Sequence, residues 1–380
     1  MTKTFLAALA GAALLTACQQ NNDSPHAMLE PTVANDRIAA AATTGFVITT
    51  TNAAAGNSAL VFPRDAAGGL GAPTAYPTGG LGTGAGLGNQ SGIIADEAGR
   101  FFYLVNAGSD QITVFEMDQG GLTQRQLIGS GGDQPISLAR FGRLLYVLND
   151  GTPATVNGFR IRADGTLEPL SGSSRPLSAA VPDAAQVGFT RDGGSLIVTE
   201  KATGNILVFP VDPSGRLGVA TVTPSNGATP FGFAVDPRGT VIVSEAFGGA
   251  PNGSALSSYR LRAGRLATVS PSVPTLQTAA CWVAIDPSGR YAYTTNTGSG
   301  SITGYRIAPS GHLDRIPPDG ISGPTNPGPI DLAVTRAGLL YSLNAKSGSI
   351  SGFQIRPDGS LAPVGTTTGF PAGASGLVAY

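Results

Sequence analysis

Short apolar runs separated by polar turns recur along the chain from residue 46 to its last residue. The turns are rich in Gly, Pro, Asp and Asn, which favour tight reversals of the backbone. After residue 20, no stretch keeps apolar residues at the spacing of about 3.6 that marks an amphipathic helix. The pattern therefore predicts an all-β protein without long helices.

One repeat unit orders these runs into four strands, which we label a to d from the centre of the molecule outward. Strand b ends in Asn or Glu, and strands c and d are joined by a short turn such as Asp-Gly or Ser-Gly. The residue that ends strand b recurs at Asn52, Asn106, Asn149, Glu200, Glu245, Asn296 and Asn344. Seven such repeats with four strands each predict a seven-bladed β-propeller.

The two ends of the repeat region indicate how the ring closes. Phe46 opens the segment FVITTTN, which is already a strand b, so the first repeat lacks a strand a. The chain finishes with GLVAY, residues 376–380, which resembles a lone strand a. We expect this C-terminal strand to pair into the first blade, because the pairing removes two exposed sheet edges.

The N-terminal residues have the features of an export signal. Lys3 precedes an apolar stretch over residues 5–15, and the segment LTAC, residues 15–18, resembles a bacterial lipobox. An ordinary secretory signal with a chance cysteine is the alternative. We predict a signal peptide over residues 1–17, a lipidated Cys18 with a flexible tether over 18–44, and the propeller over 45–380. Gln19 predicts the outer membrane if the source has one.

Composition and charge exclude one class of partner. Hydrophobic residues make up 41% of the chain, whereas charged residues make up 12% and give a formal net charge of -1. No run rich in Lys and Arg is present. Nucleic acid is therefore not an expected partner.

Charged residues are distributed unequally between the two predicted faces of the propeller. We call the face with the d-to-a and b-to-c connections the loop face, and the face with the a–b and c–d turns the turn face. The loop face carries Asp110, Asp133, Asp150, Asp183, Glu200, Lys201, Glu245, Asp331 and Lys346. Arginines such as Arg191 and Arg336 fall near the turn face. We expect the functional site at the acidic loop face, with the tether leaving from the turn face.

Three charged residues are candidates for catalysis there. Glu200 and Glu245 replace the usual Asn in adjacent blades, so they are candidates for base and acid on a bound water. The alternative is that they bond loop amides, as Asn does. Lys201 either stabilises an oxyanion or forms an ion pair with Glu200.

Six further residues are candidates for ligand binding. Trp282 either stacks on a flat ligand or is buried between blades, and Cys281 either lines the pocket or is a small buried apolar residue. The remaining positions are Gln186, Phe231, Asn296 and Asp331, with Asn296 able to polarise a carbonyl.

Two other signals bear on cofactors. The segment GLGTGAGLG, residues 80–88, follows a strand d and opens no helix, so it predicts a mobile loop rather than a phosphate-binding loop. No spacing typical of a metal site is present, so no cofactor is predicted, although an acidic mouth offers oxygen ligands to Ca²⁺.

Several segments resemble the seven-bladed lactonase family, which includes 6-phosphogluconolactonases and carboxymuconate cyclases. They are TTTNAAAGNSALVF (49–62), VTEKATGNILVF (198–209), VSEAFGG (243–249) and AACWVAIDPSGRYAYTTNTGSGSITGY (279–305). The resemblance implies the propeller fold and hydrolysis of a lactone or similar cyclic ester. The two histidines, His26 and His312, are expected in the tether and in a c–d turn, away from the site.

Two functions follow from these observations. The first is an envelope-anchored, lactonase-like hydrolase that acts at the mouth of the central channel. The second is a non-catalytic propeller that binds a small molecule or an envelope protein on the same face, with the lipid anchor as its membrane contact.

Overall fold

The computed structural model describes residues 43–119 and 121–380, so the predicted signal peptide, Cys18 and nearly all of the tether lie outside the described residues. The described chain forms seven antiparallel sheets of four or five strands around a central channel. This confirms the predicted seven-bladed propeller. Within the described residues, no helix is both long enough and apolar enough to cross a membrane.

Each blade runs outward from the channel in the order a, b, c, d. The a strands are β30 (Ser375–Ala379), β4 (Ile93–Ala95), β8 (Pro135–Phe141), β13 (Ala184–Phe189), β17 (Pro230–Val235), β21 (Ala280–Ile285) and β26 (Pro329–Val334), for blades 1 to 7. The b strands are β1 (Gly45–Thr50), β5 (Phe101–Asn106), β9 (Leu144–Asn149), β14 (Ser195–Glu200), β18 (Thr240–Glu245), β22 (Tyr291–Asn296) and β27 (Leu339–Asn344).

The outer two strands complete the blades. The c strands are β2 (Ser58–Arg64), β6 (Gln111–Asp118), β10 (Thr155–Ile161), β15 (Asn205–Pro210), β19 (Ala255–Arg262), β23 (Ser301–Ile307) and β28 (Ser349–Ile355). The d strands are β3 (Thr74–Pro77), β7 (Gly121–Gly129), β11 (Leu167–Pro169), β16 (Thr221–Pro224), β20 (Arg265–Pro274), β24 (Leu313–Arg315) and β29 (Leu361–Thr368). Short strands β12 (Arg175–Pro176) and β25 (Gly323–Pro324) extend blades 3 and 6, and two 3₁₀ turns cover Phe247–Gly249 and Ala345–Ser347.

The C-terminal strand closes the ring as predicted. Strand β30 pairs antiparallel with β1, with Ile48 opposite Val378. The hydroxyls of Thr49 and Thr50 donate to the carbonyls of Gly376 and Ser375, at 2.6 and 2.8 Å. Blade 1 is therefore assembled from the two ends of the described chain.

Buried tyrosines join neighbouring blades to one another. Tyr103, Tyr146, Tyr293 and Tyr341 lie at the same position of their b strands, and each hydroxyl donates to a glycine carbonyl in an adjacent blade. Burial raises the pKa of Tyr103 to about 12, so this phenol stays a donor at physiological pH. The tyrosines thus contribute both apolar packing and a directed hydrogen bond between blades.

The residue that ends strand b fastens that strand to its own blade. The side-chain amide of Asn106 donates to the Thr113 hydroxyl at 2.8 Å, and the Asn344 amide donates to Ser349 and Ser351. These side chains are fully buried. The recurrence of a polar residue at this position therefore has a structural cause.

Candidate ligand-binding site

The end of the glycine-rich segment fills the central channel on the loop-face side. Gly88, Asn89 and Gln90, which we call the plug, are buried, whereas Leu81 and Thr83 earlier in the segment are exposed. The prediction of a mobile loop is therefore wrong for the end of this segment. Polar contacts with the blades hold the end of the segment in place, and its glycine content alone does not reveal them.

Asn89 joins blades on opposite sides of the ring. Its side-chain amide donates to the Ile136 carbonyl of blade 3, and its side-chain oxygen accepts from the Ser375 hydroxyl of blade 1 at 3.2 Å. Its backbone carbonyl accepts the indole N–H of Trp282 in blade 6. One side chain and one peptide group therefore hold three blades in register.

Gln90 makes a second set of bonds across the ring. Its backbone N–H donates to the Ala185 carbonyl of blade 4 at 3.1 Å. Its side chain donates to the Val283 carbonyl and accepts from the Val283 N–H. A Cβ on Gly232 of blade 5 would stand 2.1 Å from Gln90 Oε1, so glycine at this position makes room for the plug.

Lys201 lies against the plug and is not available to a substrate. It is buried, its ammonium donates to the Gly88 carbonyl at 2.7 Å, and it pairs with Asp183 at 3.0 Å. The same ammonium lies 4.9 Å from the centre of the Phe231 ring. The ion pair is thus with Asp183 rather than with Glu200, and it is buried rather than at the surface.

Phe231 and Trp282 form the apolar part of this packing. Both are buried, and their ring centres are 4.9 Å apart. Cys281 beside them is buried as well. For these three residues the structure favours the alternative of burial in the core over contact with a ligand.

Glu200 and Glu245 are both fully buried, and each binds the loop that precedes its blade. Glu200 accepts from the Ser178 N–H at 2.9 Å, and from the hydroxyls of Ser178 and Thr203. Glu245 accepts from the Gly227 N–H and from three serine hydroxyls, those of Ser225, Ser257 and Ser272. These contacts favour the interpretation in which the two glutamates fasten loops, rather than activate water.

The remaining predicted site residues are also buried in the ring. Gln186 accepts the Phe233 N–H at 2.6 Å and so links blades 4 and 5. Asn296 donates to Ser301 and Thr303, as Asn does in other blades. Asp331 accepts the N–H of Leu332 at 2.8 Å, while its Oδ2 has no hydrogen-bond partner, and burial raises its pKa well above the ordinary value.

The loop-face carboxylates serve as fasteners between blades. Asp110 accepts the N–H of Gln134 at 2.7 Å, and Asp150 accepts the N–H of Ala184 at 2.8 Å, so each ties a b–c loop to the next strand a. Burial raises the pKa of Asp150 to about 6, against the opposing effects of the Ala184 N–H and the Lys201 charge. Within the described residues, no group of three or more His, Cys, Asp and Glu is placed to hold a metal ion.

A large cavity occupies the other end of the channel, at the turn face. Its volume is about 1030 Å³, and it adjoins a second cavity of about 560 Å³ that shares Glu97, Arg336 and Tyr380 with it. Small residues of the a strands leave this space, because Ala139, Gly188 and Ala234 stand where larger side chains would narrow the channel. The two cavities together form what we call the turn-face cavity.

Most of the charged groups of this cavity lie on one side, in blades 2, 3 and 7, while Arg191 lines it from blade 4. Arg140 lies 3.7 Å from Glu97, and Arg336 donates to the Glu97 carbonyl at 2.8 Å. The Nε of Arg140 is buried and has no hydrogen-bond partner. A buried N–H without an acceptor is uncommon in folded proteins, and here it belongs to a residue that lines an open cavity.

The sequence contains a signal for Arg140 that the distribution of charges between faces does not reveal. Arg140 occupies the a-strand position at which other blades have Ala95, Phe189, Val235 and Ile285. A cation among apolar residues at an inner-strand position needs a functional or an ionic partner. Aligning the blades by the end of strand b would have identified it.

The comparisons with known proteins agree with the fold. Residues 142–246 match the model of the lactonase family of seven-bladed β-propellers, which confirms the predicted resemblance. Comparison with curated proteins finds no match. The chain is therefore a lactonase-like seven-bladed propeller on the evidence of its fold and of this matched segment.

Solved structures similar to this chain cover nearly its whole propeller. A candidate 6-phosphogluconolactonase from Bacteroides fragilis is 18% identical, with a TM-score of 0.68 over 89% of this chain and 98% of that chain. A Lactobacillus plantarum protein is 16% identical, with a TM-score of 0.71 over 89% and 100%. The periplasmic gluconolactonase of Pseudomonas aeruginosa is 18% identical, with a TM-score of 0.68 over 87% and 98%. At these identities the likeness establishes the fold alone.

Proposed function

We propose that the protein is a lactone hydrolase whose substrate binds in the turn-face cavity. The observation that carries the proposal is Arg140, a cationic hydrogen-bond donor that lines this cavity and pairs with Glu97 at 3.7 Å. A lactone offers a carbonyl oxygen to that donor, and its hydrolysis product offers a carboxylate. Similarity to the family and to a periplasmic gluconolactonase supports the same class of substrate.

The residues at the cavity suggest how each would act. The Arg140 guanidinium polarises the lactone carbonyl and stabilises the oxyanion that forms on attack by water. Glu97, whose side chain is 86% exposed, is the carboxylate nearest to Arg140 and can take the proton of the attacking water. The bond between the acyl carbon and the ring oxygen then breaks, and the ring oxygen takes the proton back from Glu97 to give the hydroxy acid.

Binding without turnover is the second candidate function. Asp96, the other carboxylate at the cavity, favours this candidate. It already accepts the N–H groups of Arg100 and Phe101 within its turn and so is occupied by the backbone. His312, at the outside of blade 6, bonds Ser270 and so supplies no imidazole to the cavity. In this case Arg140 would anchor a carboxylate or sugar acid rather than a transition state.

Hydrolysis assays separate these two functions. Initial rates by pH-stat would be measured for glucono-δ-lactone, δ-valerolactone and δ-decalactone, with gluconate binding measured by titration calorimetry. We expect Arg140→Met to lower kcat/KM about ten- to a hundredfold, as expected for loss of one oxyanion donor. Arg356→Met, at an exposed turn of the same face, is the matched control. Turnover that survives Arg140→Met and Glu97→Gln would contradict the proposal.

We also propose that the propeller is exported and held at the membrane by a lipid on Cys18. The described chain begins at the turn face, where the Thr44 N–H donates to the Arg64 carbonyl and the N–H of Phe46 to the Tyr380 carbonyl. An anchored propeller would therefore turn its cavity toward the membrane, the reverse of the outward-facing site expected from the sequence. Loss of Cys18 in Cys18→Ser should release the protein from the membrane fraction, and unchanged membrane association would contradict the anchor.

A further inference from the structure

The wall of the turn-face cavity is divided into a polar and an apolar sector. The polar sector comes from blades 7, 1, 2 and 3 and contains Arg336, Tyr380, Glu97 and Arg140. The apolar sector continues from it through blades 3, 4 and 5, where Phe141, Phe189, Ala234 and Val235 line the cavity, together with the polar Thr190 and Arg191 of blade 4. The two sectors meet at consecutive residues, Arg140 and Phe141.

The apolar sector presents aromatic surface to water. Phe141 is 39% exposed, and Phe189 and Val235 are partly exposed. A large apolar side chain at the rim of a cavity leaves hydrophobic area that a ligand can cover. The exposed rings are therefore available to the apolar part of a ligand.

The aromatic pair is fixed in place rather than loosely attached. The ring centres of Phe141 and Phe189 are 5.9 Å apart, and Phe189 contacts Tyr146 in turn at 6.0 Å. The Phe141 ring also covers Gly193 in the a–b turn of blade 4, where a Cβ would stand 2.1 Å from the ring. Gly193 has a φ of 70°, so glycine suits both the turn and the overlying ring.

A ligand that used only the polar sector would leave these rings in water. Sugar acids and their lactones carry hydroxyls around the whole ring, so their small C–H faces cover less of Phe141 and Phe189 than an alkyl chain does. An alkyl or aryl substituent does cover them, and each methylene removed from water strengthens binding about fourfold. The cavity volume of about 1030 Å³ leaves room for such a substituent beside the head group.

We propose that the turn-face cavity selects amphipathic lactones and their hydroxy-acid products, with the head group at Arg140 and an apolar substituent on Phe141 and Phe189. The choice of a lactone head group rests on the proposed function above. The preference for an apolar substituent rests on the aromatic sector and is independent of turnover.

Binding of simple acids to the full-length protein tests this preference. Titration calorimetry would compare hexanoate, octanoate, decanoate, decanol and gluconate. We expect affinity to rise by about sixteenfold for each two methylenes, which follows from the fourfold step for each methylene. Decanoate should bind at least tenfold more tightly than gluconate and decanol. Affinity that is independent of chain length, or stronger for gluconate, would overturn the proposal.

Two variants assign the two sectors. Arg140→Met should weaken decanoate about tenfold and leave decanol unchanged, whereas Phe141→Ser should weaken both and flatten the dependence on chain length. Phe189→Leu keeps an apolar side chain at this position and should give a smaller loss of affinity. It tests the same aromatic pair if the Phe141 variant does not fold. Equal effects of Arg140→Met and Phe141→Ser on both ligands would contradict the division of the wall.

Turnover distinguishes failure of this inference from failure of the proposed function. Faster hydrolysis of δ-decalactone than of glucono-δ-lactone supports both. Hydrolysis of glucono-δ-lactone without preference for δ-decalactone overturns the inference alone. Tight decanoate binding with no hydrolysis of any lactone supports the inference and contradicts the hydrolase.

Discussion

Gln90 and Val283 exchange two hydrogen bonds across the central channel, at 2.7 and 3.1 Å, although they lie 193 residues apart in the chain. The bonds join the plug to strand β21 of blade 6. Together with the contacts of Asn89, they hold the inner strands of several blades at a fixed distance. The plug therefore closes one end of the channel and braces the ring from inside.

We predict that Gln90→Leu destabilises the propeller by about 2–4 kcal/mol, because it leaves the N–H and the carbonyl of Val283 buried without partners. Urea denaturation followed by tryptophan fluorescence measures the change, since Trp282 donates to the same plug. Gln124→Leu, at an exposed position of β7, is the control and should change the free energy of unfolding by less than about 0.5 kcal/mol. Equal stability of the two variants would show that the plug does not brace the ring.

Removal of residues 375–380 should open the ring. The deletion removes strand β30, exposes the free edge of β1 and takes the buried Leu377 out of the core, so we expect a loss of more than about 3 kcal/mol. Differential scanning calorimetry measures the loss. A synthetic peptide of residues 374–380 in excess should restore part of the melting temperature. An unchanged melting temperature after deletion would contradict closure by β30.

Glu245→Gln should lower stability without affecting turnover. The carboxylate accepts from four donors, and glutamine turns one acceptor oxygen into a donor that faces them. We expect a loss of about 1–3 kcal/mol. Glu168→Gln, in an exposed ion pair with Arg162, is the matched control. If Glu245→Gln instead kept its stability and lost lactone hydrolysis, the glutamate would belong to the site.

Much of the fold follows from the sequence, because a buried polar residue ends strand b in blades 2 to 7 and makes structural hydrogen bonds there. Alternation of apolar residues and the turn chemistry sufficed for blade number, strand order and ring closure. The site did not follow from the sequence. A polar residue near a loop suggests an exposed side chain, but hydrogen-bond partners that the pattern does not show can bury it. Lys201, Glu200 and Glu245 are buried by partners distant in sequence, and Arg140 was hidden within an apolar strand.

The stability of the protein should depend on the ionisation of Asp331. Burial raises its pKa well above the ordinary value of 3.8, so the folded state holds a proton that the unfolded state releases. The stabilisation is complete below the unfolded pKa and declines as pH rises toward the folded pKa, by up to about 1.4 kcal/mol per pH unit.

Asp331→Asn removes this dependence because the amide does not ionise. The advantage of the variant over the wild type in free energy of unfolding should therefore grow between pH 4 and pH 8. Urea denaturation at several pH values measures it, with Asp319→Asn, at an exposed turn, as the control. A difference that stays constant over this range would contradict a buried, protonated Asp331.

The position of a bound ligand tests the central claim most directly, namely that the site is the turn-face cavity and not the loop face. Crystals would be soaked in parallel with gluconate and with 5-hydroxydecanoate, the product of δ-decalactone. We predict density in the turn-face cavity, with a carboxylate oxygen about 3 Å from a guanidinium nitrogen of Arg140. Density at the loop face against Lys201 and Trp282, with the turn-face cavity empty, would contradict the account.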